Sequence, residues 1–138
     1  MEKIISTSST FLKVLLVISL LGFIVTVNAK EKTVGFIGSS MEPTLIEGYR
    51  LIIKYDDFDN IKEGSLVIYR NQFTGTRTVH RAIKKQNYYL GLSKKWGWLM
   101  KGDNNKRYDR GLVSERVYIA TVIGHINLEG EKTYYEQR

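Results

Sequence analysis

Two adjacent serines, a single proline, a strand-borne histidine and a pair of aspartates are the residues of this chain that could do chemistry together. Ser39 and Ser40 lie in Gly38-Ser39-Ser40-Met41-Glu42-Pro43-Thr44-Leu45, which holds the only proline and follows an apolar run. Pro43 fixes its own φ and biases Glu42 toward extended backbone, so the segment after Ser40 is stiffened at little entropic cost. A stiff turn can present a serine hydroxyl and a neighbouring N–H in one direction, as a nucleophile with a backbone oxyanion donor requires. An ordinary Ser-Pro turn explains the octamer equally well. His80 follows Ser40 by 40 residues in the alternating stretch Thr76-Arg77-Thr78-Val79-His80-Arg81-Ala82-Ile83. Alternation puts Thr78, His80 and Ala82 on one face and Val79, Arg81 and Ile83 on the other, which leaves room beside the imidazole. An imidazole is suited to take a serine's proton near neutral pH, although a lone histidine on a strand is commonly structural. Lys101-Gly102-Asp103-Asn104-Asn105-Lys106-Arg107-Tyr108-Asp109-Arg110-Gly111 reads as a polar loop whose two carboxylates could orient that imidazole. Asp-Asn-Asn is also plain turn chemistry.

Composition narrows the alternatives. With no cysteine in 138 residues, a disulfide framework, a thiol nucleophile and a thiolate zinc site are excluded, and two histidines are too few for a His-rich metal cluster. No metal or other cofactor is expected. The chain carries 21 Lys+Arg against 14 Asp+Glu, so 21 − 14 = +7. A basic exported domain is predisposed to meet anionic lipid headgroups, and the same charge also simply solvates a small β domain. Nucleic acid is not expected as a partner, because the basic residues look scattered along the chain.

The elements that must hold these residues begin with Phe11 to Val27, FLKVLLVISLLGFIVTV, either a membrane span or the core of a secretory signal. Val27-Asn28-Ala29 has the small residues of an A-x-A-like cleavage site. Both readings send residues 30–138 across a membrane. After Ala29, short runs rich in Val, Ile, Tyr and Leu predict strands over Thr33–Ile37, Arg50–Tyr55, Ser65–Arg70, Arg77–Lys84, Tyr88–Leu92, Trp98–Lys101 and Val117–Ile123. The expected architecture is mainly β, a compact antiparallel or mixed domain behind one N-terminal helix. His125 reads as structural, Trp98 as core and Trp96, beside Lys94 and Lys95, as a membrane-interface candidate.

Taken in order, Ser40-Met41-Glu42-Pro43, Val79-His80-Arg81, Lys101-Gly102-Asp103-Asn104-Asn105 and Asp109 resemble the type I signal peptidases, in the branch with histidine where most bacterial members have lysine. The resemblance implies a signal-peptidase-like β catalytic domain over 30–138, outside the cytoplasm. Residues 1–29 would form a short cytoplasmic tip and a retained single-pass transmembrane anchor in the cell membrane. It implies Ser40 as nucleophile, His80 as general base and Asp109 as orienting acid, with Asp103, Ser39, Met41 and Pro43 in support. Implied substrates are secretory preproteins with small residues before the cut. Three departures stand out: Gly38 where many relatives have a serine that donates to the oxyanion, and Gly48-Tyr49 and Gly64-Ser65 where Gly-Asp is common. Lys101 sits at the loop entrance, away from the strand of His80, and is not expected to be the base. Two other readings compete: a non-catalytic exported β domain, and a repressor-type self-cleaving protease, which the apolar N-terminus and His80 disfavour.

Overall fold

Leu66-Val67-Ile68-Tyr69 is apolar at every position, the pattern of a strand covered on both faces. In the computed structural model, which describes residues 31–136, it forms the third of seven strands. They are β1 (Lys32–Gly35), β2 (Arg50–Lys54), β3 (Leu66–Arg70), β4 (Arg77–Leu90), β5 (Ser93–Lys101), β6 (Tyr118–Ile126) and β7 (Lys132–Tyr134). All belong to one antiparallel sheet in the order β1-β2-β6-β3-β4-β5, with β7 paired to β6. The anchor expected over residues 1–29 lies outside the described residues. Among those described, no helix is long and apolar enough to cross a membrane.

Alternation along β3 divides the core in two. Leu66 and Ile68 pack with Phe36, Met41, Leu45, Leu51, Ile53, Ala120 and Val122. Val67 and Tyr69 pack with Phe58, Ile61, Ala82, Trp98, Met100 and Val113. His80, paired directly across from Val67, therefore emerges beside the second cluster, and Val79, across from Ile68, meets the first.

Several elements differ from the sequence expectation. The runs expected as Arg77–Lys84, Tyr88–Leu92 and Trp98–Lys101 are two long strands, β4 and β5, joined at Gly91-Leu92. The polar stretch Lys84–Asn87 looked like a break, but a ladder continues through it: its backbone pairs with Trp96–Leu99, and the apolar side chains at this point come from β5 rather than from β4. β1 ends at Gly35, and Ile37 is 85% exposed. β6 runs on through His125, and the polar C-terminal segment adds β7 by backbone pairing to Gly124–Ile126. Trp98 is core, whereas Trp96 is half-buried: its ring stacks on Phe58 at 4.6 Å and carries the Lys85 ammonium 3.4 Å from its centroid. Trp96 is therefore bound into the domain and not offered to an interface. His125 stacks on Tyr49 and bonds the Tyr135 hydroxyl at 2.7 Å, a structural role.

Met41, next to Ser40, is fully buried and ties the serine turn to the first cluster. Met41→Ala removes three heavy atoms there and is expected to destabilise the protein by about 2–5 kcal/mol. Urea unfolding of the full chain in detergent checks this; a change within error would mean that the turn is held by its loop contacts alone.

Candidate active site

The turn after β1 delivers Ser40. Gly38 adopts φ +112°, a conformation that favours glycine, and lets the chain reverse before the serine. Met41 and Leu45, both fully buried, hold the turn from below, and a Leu45 N–H to Met41 carbonyl bond of 3.0 Å closes it. From above it is clipped by the loop after β5: the Asn104 N–H donates to the Ser40 carbonyl at 2.9 Å, and the Asn104 side chain donates to the Ser39 carbonyl at 3.1 Å. Gly102 makes that approach possible, since a Cβ there would stand 2.6 Å from the Ser40 carbonyl oxygen.

Three residues then form one chain of hydrogen bonds. The Ser40 hydroxyl lies 3.1 Å from His80 Nε2, and His80 Nδ1 lies 2.7 Å from Asp109 Oδ2. Tyr69, on β3, completes the group: its hydroxyl donates to the same Asp109 oxygen and stands 3.2 Å from His80 Nδ1. Burial pushes the Asp109 carboxyl up, but the bonds from His80 and Tyr69, together with the charge on His80, outweigh it and hold the pKa below the ordinary carboxylate value. An ionised carboxylate only accepts, so the Nδ1 proton must point at Asp109. In the neutral imidazole Nε2 then carries a lone pair that faces the Ser40 hydroxyl. Burial first, and the bond to Asp109 second, push the Tyr69 phenol up, so it stays a donor.

Asp103 lies elsewhere in the loop and does not touch His80. It takes a two-pronged bond from Arg81 at 2.9 and 2.6 Å and a third from the Thr44 hydroxyl at 2.5 Å. Arg81 also reaches the Gly64 carbonyl at 2.9 Å, so one carboxylate joins the serine turn, β4 and the loop. Pro43 follows Ser40 within the turn, and among the described residues no hydrogen bond or ion pair joins the Lys101 side chain to Ser40 or His80. Tyr69 escaped the sequence reading; Thr44, Arg81 and Asn104 lie within the motifs it quoted but were given no role there, although alternation did place Arg81 opposite His80. Among the described residues, no cluster of three metal-ligating side chains occurs.

Beside Ser40 runs a groove of about 390 Å³, lined by Val34, Phe36, Ile53, Ile68 and Val79 among others, with Arg77 and Thr78 at its rim. One wall is β1, which among the described residues pairs only with β2 and leaves its outer edge open.

Burial raises the Asp103 carboxyl, yet Arg81 and Thr44 lower it further, to a net value below the usual 3.8. A depressed folded pKa adds stability above the unfolded value and loses it as pH falls through the folded one. Melting temperature should therefore hold from about pH 7 to about pH 5 and fall below about pH 4, less steeply in Asp103→Asn than in the parent. Parallel acid slopes in the two proteins would remove Asp103 from the acid response.

No family model matches the chain. Over 94 residues it is 34% identical to signal peptidase complex catalytic subunit SEC11C of Homo sapiens, and equally to its counterparts in Canis lupus familiaris and Mus musculus. The match covers 68% of this chain and 47% of each relative, so the chain spans about half the length of the curated relatives it matches. With its similarity to these relatives and its ordered Ser-His-Asp motifs, the chain belongs to the signal peptidase catalytic-subunit family, the histidine branch of the type I signal peptidases.

Proposed function

We propose that this chain is a membrane-anchored serine endopeptidase that removes signal peptides from exported preproteins, with Ser40 as nucleophile, His80 as general base and Asp109 as orienting acid. The observation that carries the reading is the continuous Ser40–His80–Asp109 hydrogen-bond chain beside an open strand edge. His80 Nε2 takes the Ser40 proton as the oxygen attacks the scissile carbonyl, and returns it to the departing amine. The acyl-enzyme is then opened by water, with the same nitrogen as base. Asp109 keeps the required tautomer and offsets the charge that forms on the imidazole. The Ser40 N–H is the oxyanion donor; Gly38 carries no hydroxyl, so a second side-chain donor from that position is absent.

An extended preprotein segment docks along the free edge of β1 by backbone pairing, and its side chains enter the apolar groove. In this reading residues 1–29 are the anchor, residues 30–138 the catalytic domain outside the cytoplasm of a cell membrane, and no cofactor takes part.

Replacement of Ser40, His80 or Asp109 by alanine tests the assignment in an assay of precursor processing. Ser40→Ala and His80→Ala should each lower kcat by about 10⁴-fold or more, with Lys101→Ala close to the parent. Full processing by all three variants would favour a non-catalytic binding domain, and a Lys101 effect equal to that of His80 would reassign the base. Tyr69→Phe keeps the ring and removes only the hydroxyl bonded to Asp109. It should cost about ten-fold in kcat with KM unchanged, the scale of a hydrogen bond to a charged group. An unchanged kcat would make that hydroxyl purely structural.

A further inference from the structure

From Ser65 to Gly102 the chain has eight basic residues and no acidic one, so this segment holds +8 and the remainder 13 − 14 = −1. The fold gathers what looked scattered in the linear sequence: all eight sit on β3, β4 and β5. Beyond Arg81, β4 no longer pairs with β3, and from Lys84 to Lys95 the two strands β4 and β5 form a ribbon paired only with itself. At its end Tyr89, Leu90 and Leu92 are 74%, 68% and 105% exposed. Behind them Lys84, Lys94 and Lys95 are exposed, and among the described residues no salt bridge engages them.

We propose that the β4–β5 ribbon docks on an anionic lipid surface, its Tyr89-Leu90-Gly91-Leu92 tip entering the headgroup region and its lysines meeting lipid phosphates. A two-stranded ribbon standing free in water is marginally stable, and a fully exposed leucine at its turn gains nothing there. The tip is convex and only a few side chains wide. A protein partner would need a matching pocket and roughly 800 Å² of surface on this side, whereas a bilayer accommodates a narrow apolar tip anywhere. The charge decides between lipids: lysine stems can lie along the apolar boundary while their ammonium groups stay with anionic headgroups. The apolar run of residues 11–27 ends four residues before β1. In the anchor reading proposed above, four residues reach at most about 14 Å, which would keep the start of β1 close to the bilayer. The inference rests on that anchor for proximity and does not depend on the catalytic reading.

The absence of cysteine makes a direct test possible. Full-length Leu92→Cys, labelled with a polarity-sensitive dye, is reconstituted into nanodiscs of phosphatidylcholine alone or with phosphatidylglycerol, and quenching by a lipid-borne nitroxide is read. Quenching should be about two-fold or more stronger in the anionic discs. It should weaken as salt rises from about 0.1 M to about 1 M, where the screening length falls from about 10 Å to about 3 Å. The triple change Lys84→Glu, Lys94→Glu and Lys95→Glu should return it to the phosphatidylcholine level, and a label at Glu129→Cys, in the β6–β7 turn, should remain unquenched. A position-92 label that stays in water in both discs overturns the proposal. So does quenching that ignores lipid charge, or that matches position 129. Protection from water that appears only when a second protein is added would assign the tip to a protein partner instead.

Discussion

The candidate site depends on one oxygen atom. Asp109 Oδ2 receives both the His80 Nδ1–H and the Tyr69 hydroxyl, and so fixes where the imidazole stands and which of its nitrogens carries the proton. Two donors on a single half-buried acceptor also explain why the carboxyl remains ionised despite its desolvation. Without that ionised acceptor, neither imidazole tautomer would be favoured. Asp109 itself is seated by its own N–H, which donates to the Met100 carbonyl at 2.9 Å, so the loop that carries it is an extension of β5.

Everything around this atom serves to bring two separate cores to one edge. Tyr69 belongs to the cluster that includes Ala82 and Met100, while the serine turn is rooted through Met41 and Leu45 in the other cluster. Because β3 contributes to both by simple alternation, the two halves cannot shift independently of it. The Asp103–Arg81–Thr44 group then closes the remaining gap from the opposite face of β4. A paired Arg–carboxylate of this kind contributes less through its own energy than through the three segments it orients, since each partner left alone would be a half-buried charge.

How much of this could be read in the sequence follows from the range of each interaction. Ser40 and His80 stood out because they sit on local turn and strand patterns, beside the single proline and as one of only two histidines; the polar loop offered both Asp103 and Asp109, and only the family resemblance separated them. Tyr69 did not, because a tyrosine in an apolar strand carries no local mark of a polar partner 40 residues away. The same limit explains the strands. β3 was legible as a continuous apolar run and the start of β4 from its alternation, whereas Lys85–Asn87 of β4 and all of β7 show no apolar periodicity. Gly102 was visible as a turn residue; that its missing side chain admits the Ser40 carbonyl is a fact of tertiary packing.

The sheet also separates two kinds of exposed surface. At one margin, β1 has a backbone edge that is unpaired among the described residues and lies beside an apolar groove, a surface of the kind that can pair with extended chain through main-chain hydrogen bonds. Toward the other, the β4–β5 ribbon has its backbone mutually satisfied and offers only side chains, apolar at the tip and basic behind it. The first suits a polypeptide, because only a polypeptide can complete a ladder; the second has no ladder left to complete and suits a medium that responds to charge and apolar area alone. Under the proposed function, a domain that meets a chain emerging from a bilayer would use both surfaces. Placing them on different strands lets either change without disturbing the Asp109–His80–Ser40 axis between them.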